Sequence, residues 1–127
     1  QVLKKAIAGV YPAAASEKLP LHIRQRYFRA ISAEQGSWLA VTDAVKNLIL
    51  FKKLNLVKPP YPVRGPLEII FCRNVMIYFD VKTRQQIISQ FERILAPGGH
   101  LFLSHSENLL GITHSLRSIG GSVFMKE

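Results

Sequence analysis

Cysteine is nearly absent from this chain of 127 residues, which contains only Cys72. A single cysteine cannot form an internal disulfide and has no partner for a zinc site, which fits a reducing compartment. Long apolar runs are absent too: none approaches the roughly 20 residues that cross a bilayer, and residues 1–5 lack the apolar stretch of a signal peptide. We therefore expect a cytoplasmic protein with no membrane insertion, in which Cys72 is a buried thiol at a strand end.

Internal repeats and low-complexity segments are also missing, and acidic residues are few. With 48 % hydrophobic residues, the chain has the size of one ordinary globular domain with a real core. Its 17 Lys and Arg against 8 Asp and Glu give a net charge of +9.

The positive charge is concentrated in the first half of the chain. Residues 1–66 hold 11 Lys and Arg against 3 Asp and Glu, a balance of +8, and residues 67–127 hold 6 against 5, a balance of +1. Such an imbalance indicates an acidic partner, such as nucleic acid, an anionic membrane surface or an acidic protein. A solvated surface without a particular partner also explains the charge, so both interpretations stay open.

Hydrophobic spacing predicts helices and strands in the first half. A helical pattern covers residues 2–8 and stops at Gly9, a normal helix terminus, and a second helical pattern covers residues 21–30. Residues 37–42 and 47–55 are rich in Trp, Val, Ile, Leu and Phe. We therefore expect two extended segments there, joined by a short link.

The second half shows a clearer alternation of strand and helix. After a proline-rich loop, residues 67–72 form an apolar strand, and residues 81–95 have the period of an amphipathic helix with Asp80 as its N-cap. Residues 100–104 suit a buried parallel strand. The order predicts an α/β fold with parallel strands joined by a right-handed crossover. Residues 112–126 then close the chain as an antiparallel pair that turns at a Gly-Gly sequence.

The most informative stretch is residues 67–80, where an apolar run breaks off into the polar pair Arg73-Asn74. Tyr78 and Asp80 follow within one or two helical turns. In α/β proteins, ligands bind in the crevice at the carboxyl ends of parallel strands. The chain is therefore expected to carry at least part of a functional site.

The helix, Pro-Gly-Gly and strand sequence followed by a terminal antiparallel pair is the ending expected of Rossmann-like methyltransferases. The block Phe-Cys-Arg-Asn-Val-Met-Ile-Tyr-Phe-Asp closely resembles the CheR family of chemotaxis receptor methyltransferases, and the similarity extends over essentially the whole chain. The segments that carry it are residues 71–80, 95–99, 104–107 and 54–56, with further similarity at 9–11 and 26–28.

This resemblance implies an enzyme that uses S-adenosylmethionine to methylate glutamate side chains of bacterial chemoreceptors, with S-adenosylhomocysteine as product. It implies that Tyr78 lies at the methyl-transfer centre. It also implies a small antiparallel subdomain inserted at residues 28–51, which in some members docks a receptor-tail peptide by edge pairing. The cofactor-site residues implied by the resemblance are Asn55, Leu56, Arg73 and Asn74.

The chemistry is consistent with such a site. A glutamate, with a pKa of about 4.3, is already ionised at neutral pH and needs no general base. The enzyme must instead align the carboxylate, the methyl group and the sulfur, and must desolvate the carboxylate. Polar groups at the strand end can hold the cofactor while the Tyr78 hydroxyl orients the acceptor.

Each candidate residue also has a structural interpretation. Arg73 and Asn74 could cap the following turn, and Tyr78 could be a core aromatic with a satisfied hydroxyl. His105 could suggest a hydrolase or a metal ligand, but no metal spacing or nucleophile elbow accompanies it, so a structural loop histidine is expected. Asp80 is most simply a helix cap.

Two usual parts of a Rossmann-like cofactor site are missing from residues 1–127. These are a glycine-bearing turn after the first strand and an acidic residue after the second, which holds the ribose. We therefore expect a partial methyltransferase domain that lacks the first strands and the glycine-rich loop. Alone, it would bind cofactor poorly, and its exposed sheet edge could dimerise or swap.

Two other functions remain under consideration. One is a basic nucleic-acid-binding domain, although no recognised nucleic-acid motif is present and we expect no nucleic-acid partner. The other is a non-enzymatic module that binds a receptor or another partner peptide through the antiparallel insert.

Overall fold

Two separate sheets organise the chain, one in each of its two units. The computed structural model describes residues 1–33 and 36–127. The first compact unit comprises residues 1–53 and the second comprises residues 54–127. The first sheet has three strands and the second has four. The assignment of an inserted subdomain at residues 28–51 stays a prediction.

The first unit begins with the predicted helix. Helix α1 spans Val2–Ala8 and ends at Gly9, whose left-handed backbone (φ 62°) is the usual conformation after a helix. A Cβ at Gly9 would lie 2.8 Å from Cε of Lys46, but that flexible side chain can move aside, so the left-handed backbone is what favours glycine here. This part of the prediction is confirmed.

The first sheet is antiparallel, with strand order β1-β3-β2. Strand β1 (Val10–Pro12) pairs with β3 (Gly36–Val41), and β3 pairs with β2 (Phe28–Ala33). Strand β3 confirms the predicted extended segment at 37–42. Strand β1 of this sheet precedes residue 28, so the antiparallel sheet begins before the predicted insert.

The second predicted helix is shorter than expected. Helix α2 spans Leu21–Tyr27, and Phe28 is already extended (φ −128°, ψ 151°) and paired with Val41. The prediction of helix through residue 30 is therefore wrong. Pairing with β3 satisfies the backbone from Phe28 onward, and this tertiary interaction overrides the local helical spacing.

The extended segment predicted at 47–55 is also wrong. The link before it forms a short helix, α3 (Asp43–Lys46), and residues 47–55 form turns and irregular structure. Leu48 and Leu50 are 84 % and 76 % exposed. An apolar run becomes a strand only when a neighbouring strand satisfies its backbone, and none of the described strands pairs with it.

The second unit contains a mixed sheet of order β4-β5-β7-β6. Strand β4 (Leu67–Phe71) runs parallel to β5 (Leu95–Phe102), as predicted. Strands β6 (Arg117–Gly120) and β7 (Val123–Met125) form the predicted antiparallel pair. The observed architecture is therefore α/β, with one parallel strand pair at the edge formed by β4.

Strand β5 begins earlier than predicted. It starts at Leu95 rather than at residue 100, and its register with β4 shifts between the pairs Leu67–Leu95 and Ile69–His100. Pro97 has no N–H to donate, so this part of the strand bulges. The bulge is held by hydrogen bonds from Gly98 N to Lys126 O (2.8 Å) and from Lys126 N to Gly99 O (2.9 Å).

Helix α4 (Val81–Ile94) supplies the core of the second unit. Asp80 caps it as predicted, because its Oδ1 accepts a hydrogen bond of 2.8 Å from Thr83 N. Burying an isoleucine fully contributes about 1.5–3 kcal/mol, so the apolar stripe of α4 accounts for much of the packing. Its buried residues are Ile87, Ile88, Phe91 and Ile94, which pack in one cluster with Leu101 of β5, Leu103 just after β5 and Phe124 of β7.

The face of β4 that carries Ile69 and Phe71 is not covered by other described residues. Ile69 and Phe71 are 53 % and 69 % exposed, whereas Cys72 is buried. Phe71 stacks on Phe102, with ring centroids 4.7 Å apart. Across residues 1–33 and 36–127, no helix has the length and apolar character needed to span a membrane.

Candidate functional site

The candidate site lies where the parallel strands β4 and β5 end. The strands stay together to their carboxyl ends, because Cys72 N donates a hydrogen bond of 2.9 Å to Phe102 O. After β4 the backbone turns sharply at Asn74, which has a left-handed φ of 58°. A short 3-10 helix, Met76–Tyr78, follows. This loop lies beside the loop after β5, which contains Ser104.

A buried carboxylate, Glu107, joins the two loops. It is 4 % exposed and accepts backbone N–H hydrogen bonds from Asn74 (3.0 Å), Val75 (2.9 Å) and Met76 (2.8 Å). It also accepts hydrogen bonds from Ser104 N (3.0 Å) and Ser104 Oγ (2.6 Å). We call this set of five bonds the Glu107 clamp. It connects residues that are 31 to 33 positions apart in the sequence.

The hydrogen bonds of the clamp keep Glu107 ionised. Burial by itself disfavours the charged carboxylate, but the bonds from Ser104 and from the N–H groups of Asn74 and Met76 outweigh it and lower the pKa of Glu107 to about 2. Burial, together with the nearby charge of Glu107, raises the pKa of the Cys72 thiol to about 11. Cys72 is thus the buried thiol at a strand end that was predicted.

Three of the predicted site residues project from this loop. Arg73 and Asn74 are exposed, and Tyr78 is 78 % exposed. The interpretation of Tyr78 as a core aromatic is therefore wrong. Asn74 N donates to Glu107, and no hydrogen bond of the Asn74 side chain is found among the described residues. Arg73 borders a cavity of about 180 Å³ whose other lining residues are Phe71, Phe102, Leu103, His105 and Gly121.

The other two predicted residues lie on a second cavity or next to it. Leu56 and Phe71 both line this cavity, which has a volume of about 240 Å³. The carbonyl of Leu56 accepts a 2.7 Å hydrogen bond from Tyr61 Oη. Asn55 precedes Leu56, and its Oδ1 accepts a 3.1 Å hydrogen bond from Val57 N in a local turn. Leu56 therefore shares this cavity with Phe71, the last residue of β4.

The end of β4 offers both polar and apolar groups to a ligand. Arg73 and Asn74 offer hydrogen-bond donors at a strand end, and Phe71 lines both cavities with an apolar surface. Pockets that enclose a drug-sized ligand measure about 300–1,000 Å³, which exceeds either cavity. Neither cavity alone is large enough to enclose a ligand of that size.

Glu107 was not among the predicted site residues, although its sequence context carries one local signal. Ser104 and Glu107 have the Ser-x-x-Glu spacing of a capping box, in which the acidic side chain reaches back to the N–H of the serine. That contact is observed. His105 is exposed, and the described residues contain no group of side chains that could hold a metal ion.

Comparison with known proteins identifies relatives over nearly the whole chain. The model of the family described as CheR methyltransferase, SAM binding domain, matches residues 1–125. Chemotaxis protein methyltransferase 2 of Pseudomonas aeruginosa is 35 % identical over 123 residues, which are 97 % of this chain and 44 % of the relative. The chemotaxis protein methyltransferases of Salmonella typhimurium and Escherichia coli are 36 % and 38 % identical over 124 residues, 98 % of this chain and 43 % of each relative. The chain thus spans less than half the length of these curated relatives.

Proposed function

The chain belongs to the CheR methyltransferase family, and from this membership we propose that the full-length protein transfers a methyl group from S-adenosylmethionine to glutamate carboxylates of chemoreceptors. The expected resemblance is confirmed by the family match. Because the chain covers 43 % to 44 % of the relatives, the activity is proposed for the full-length protein. The cytoplasmic location expected from the sequence is part of this proposal.

The observation that supports cofactor binding most directly is the position of the Arg73-Asn74 pair. Both residues are exposed at the carboxyl end of β4, beside its parallel neighbour β5. This is where α/β proteins bind ligands. We propose Arg73 and Asn74 as cofactor-site residues on this basis, and Asn55 and Leu56 on the basis of the family resemblance.

Methyl transfer requires alignment more than acid–base catalysis. The acceptor glutamate is ionised at neutral pH, so its carboxylate oxygen can attack the methyl group directly, and S-adenosylhomocysteine leaves. Tyr78 lies in the loop that carries Arg73 and Asn74, with its side chain 78 % exposed. We propose that its hydroxyl donates a hydrogen bond that orients the acceptor carboxylate.

The first unit supports a role in partner binding. Strand β2 lies at one edge of the described antiparallel sheet, and a peptide can extend such an edge as a further strand. The positive balance of residues 1–66 suits an acidic chemoreceptor segment. A purely peptide-binding function without catalysis is the second candidate, and this edge strand is the observation that favours it. Nucleic-acid binding rests on charge alone.

The cofactor assignment is tested with Asn74→Gly in the full-length protein. Glycine accepts the left-handed backbone at φ 58°, so this change removes the amide without imposing strain. Loss of one ligand hydrogen bond is expected to weaken S-adenosylmethionine binding about tenfold in calorimetry, with the protein still folded. Ser122→Gly is the matched control, because Ser122 has a similar left-handed φ of 60° in the turn before β7. Unchanged affinity in Asn74→Gly would remove Asn74 from the site.

Catalysis is tested by incubating the full-length protein with labelled S-adenosylmethionine and a chemoreceptor cytoplasmic domain. Glutamate methyl esters release methanol in base, so the label should be base-labile. Cofactor binding without base-labile transfer to the receptor would contradict the methyltransferase proposal. Peptide binding without cofactor affinity would support the non-catalytic alternative.

A further inference from the structure

We propose that Glu107 is a positioning residue of the cofactor site, whose carboxylate fixes the backbone of residues 74–76 so that Arg73 and Asn74 present their side chains to the cofactor. This inference rests on the proposed function. Glu107 does not need to touch the cofactor, because it acts through the loop that carries the contacting residues.

The geometry of the clamp shows that both carboxylate oxygens are used. Oε1 accepts from Val75 N (2.9 Å) and Met76 N (2.8 Å). Oε2 accepts from Asn74 N (3.0 Å) and from Ser104 N and Oγ (3.0 and 2.6 Å). A neutral glutamine offers one acceptor oxygen, and its NH₂ group would face N–H donors. Only a carboxylate satisfies all five donors.

Three successive N–H groups that converge on one anion form a nest. Asn74 is left-handed (φ 58°), and Val75 follows with φ −119° and ψ −41°. Alternation between left- and right-handed backbone turns consecutive N–H groups towards a common point, where an anion binds. In many proteins a ligand supplies that anion, but here Glu107 supplies it from the loop after β5. The nest is therefore occupied permanently and has a structural purpose.

The segment that the clamp holds, with the residues next to it, contains three of the five predicted site residues. Arg73 and Asn74 begin it, Met76 anchors it in the core with 2 % exposure, and Tyr78 ends it. Without the carboxylate, the N–H groups at 74–76 would lose their partner, and the left-handed turn at Asn74 would lose its main support. The loop would then sample other conformations, and binding would carry the entropic cost of ordering it.

The experiment compares two substitutions in the full-length protein, Glu107→Gln and the matched control Glu92→Gln. Glu92 on α4 also accepts two hydrogen bonds through one carboxylate oxygen, from Ser115 N (2.6 Å) and Ser115 Oγ (2.8 Å). Its bonds do not involve the loop after β4. S-adenosylmethionine affinity is measured by calorimetry at a temperature where circular dichroism shows each variant to be folded.

The expected result is a loss of S-adenosylmethionine affinity of about tenfold or more in Glu107→Gln and no loss in Glu92→Gln. Amide hydrogen exchange at residues 74–76 should accelerate only in Glu107→Gln. Glu107→Asp keeps the charge with a shorter reach, so it should restore part of the affinity and part of the protection. If Glu107 had a purely structural role, the substitutions would lower the melting temperature. The affinity of the folded protein would then neither fall in Glu107→Gln nor partly recover in Glu107→Asp.

Two distinct failures can be told apart. If the wild-type full-length protein does not bind S-adenosylmethionine, the proposed function is wrong. If the wild-type protein binds and folded Glu107→Gln binds equally well, the positioning role is wrong while the proposed function stands. If Glu107→Gln does not fold, the test uses Glu107→Asp. Faster amide hydrogen exchange at residues 74–76 in this variant, with unchanged S-adenosylmethionine affinity, would overturn the inference.

Discussion

At the scale of single residues, the loop after β4 depends on a charge that is buried and yet ionised. Glu107 is 4 % exposed and has a pKa of about 2, because burial is outweighed by the hydrogen bonds it accepts. Cys72, also buried, has a raised pKa and stays neutral in acid. The Glu107 carboxylate therefore stays ionised near neutral pH.

Acid should lower the free energy of unfolding of the full-length protein by protonating Glu107. The pKa of Glu107 is lowered on folding from an ordinary value of 4.5 to about 2, so its contribution is complete above pH 5 and is lost as the pH falls towards 2. The shift corresponds to about 3 kcal/mol in the free energy of unfolding. Urea unfolding between pH 7 and pH 3 should show the wild type losing its advantage over Glu107→Gln. An advantage that stays constant with pH would contradict this.

A second prediction for a single residue concerns the hydroxyl of Tyr78. Its side chain is 78 % exposed, so Tyr78→Phe removes the hydroxyl without disturbing the core. We expect kcat for methyl transfer to fall about tenfold or more, with S-adenosylmethionine affinity nearly unchanged, because the hydroxyl is proposed to orient the acceptor. Initial-rate kinetics and calorimetry on the same preparation check this. Equal turnover would leave Tyr78 with no role in the chemistry.

At the scale of elements, the join between α4 and β5 shows how a bulge and a close approach are combined. Gly99 lies where β4 and β5 come together, and an added Cβ would meet two carbonyl oxygens, Ala96 O at 2.8 Å and Leu67 O at 3.0 Å. Carbonyls in paired strands cannot move without disturbing the pairing. The glycine is therefore required by space rather than by conformation.

Replacing Gly99 with alanine should destabilise the full-length protein by about 1–3 kcal/mol, the usual cost of overpacking. Thermal unfolding should show a lower melting temperature for Gly99→Ala. Ser118→Ala, on the exposed strand β6, is the control and should change little. A melting temperature of Gly99→Ala equal to that of the wild type would mean that the strands separate easily at the bulge.

At the scale of the whole molecule, the second sheet ends at an apolar strand. Strand β4 is at one edge of the described sheet, and Ile69 and Phe71 are 53 % and 69 % exposed. Unpaired apolar edges are sites for pairing with another chain. We therefore keep the prediction that residues 1–127, taken alone, associate with themselves through β4.

Sedimentation velocity over a range of concentrations tests this prediction. Residues 1–127 should form dimers or larger species, and Ile69→Lys should shift them towards monomer, because a charge on an edge strand opposes pairing. Ser118→Lys, on the opposite edge strand β6, is the control and should not have this effect. A folded wild-type chain that stays monomeric at all concentrations would contradict the prediction.

Local patterns were sufficient wherever an element packs by its own periodicity. The apolar spacing of residues 81–95 predicted α4, and Asp80 and Gly9 were identified as helix ends from residue type alone. Local patterns were not sufficient where strand pairing decides the secondary structure. Phe28 leaves a helical pattern to pair with Val41, and residues 47–55 have strand-like composition without a strand.

Short contiguous stretches of the sequence encode the family, the α/β order of the second unit and the position of the polar pair Arg73-Asn74. The way in which the loop of that pair is held depends on the fold. The Glu107 clamp joins two loops that are 31 to 33 residues apart, and its bonds form only when β4 and β5 lie side by side. A hydrogen bond between distant residues leaves no periodic signal in the sequence, so it becomes visible only in the fold.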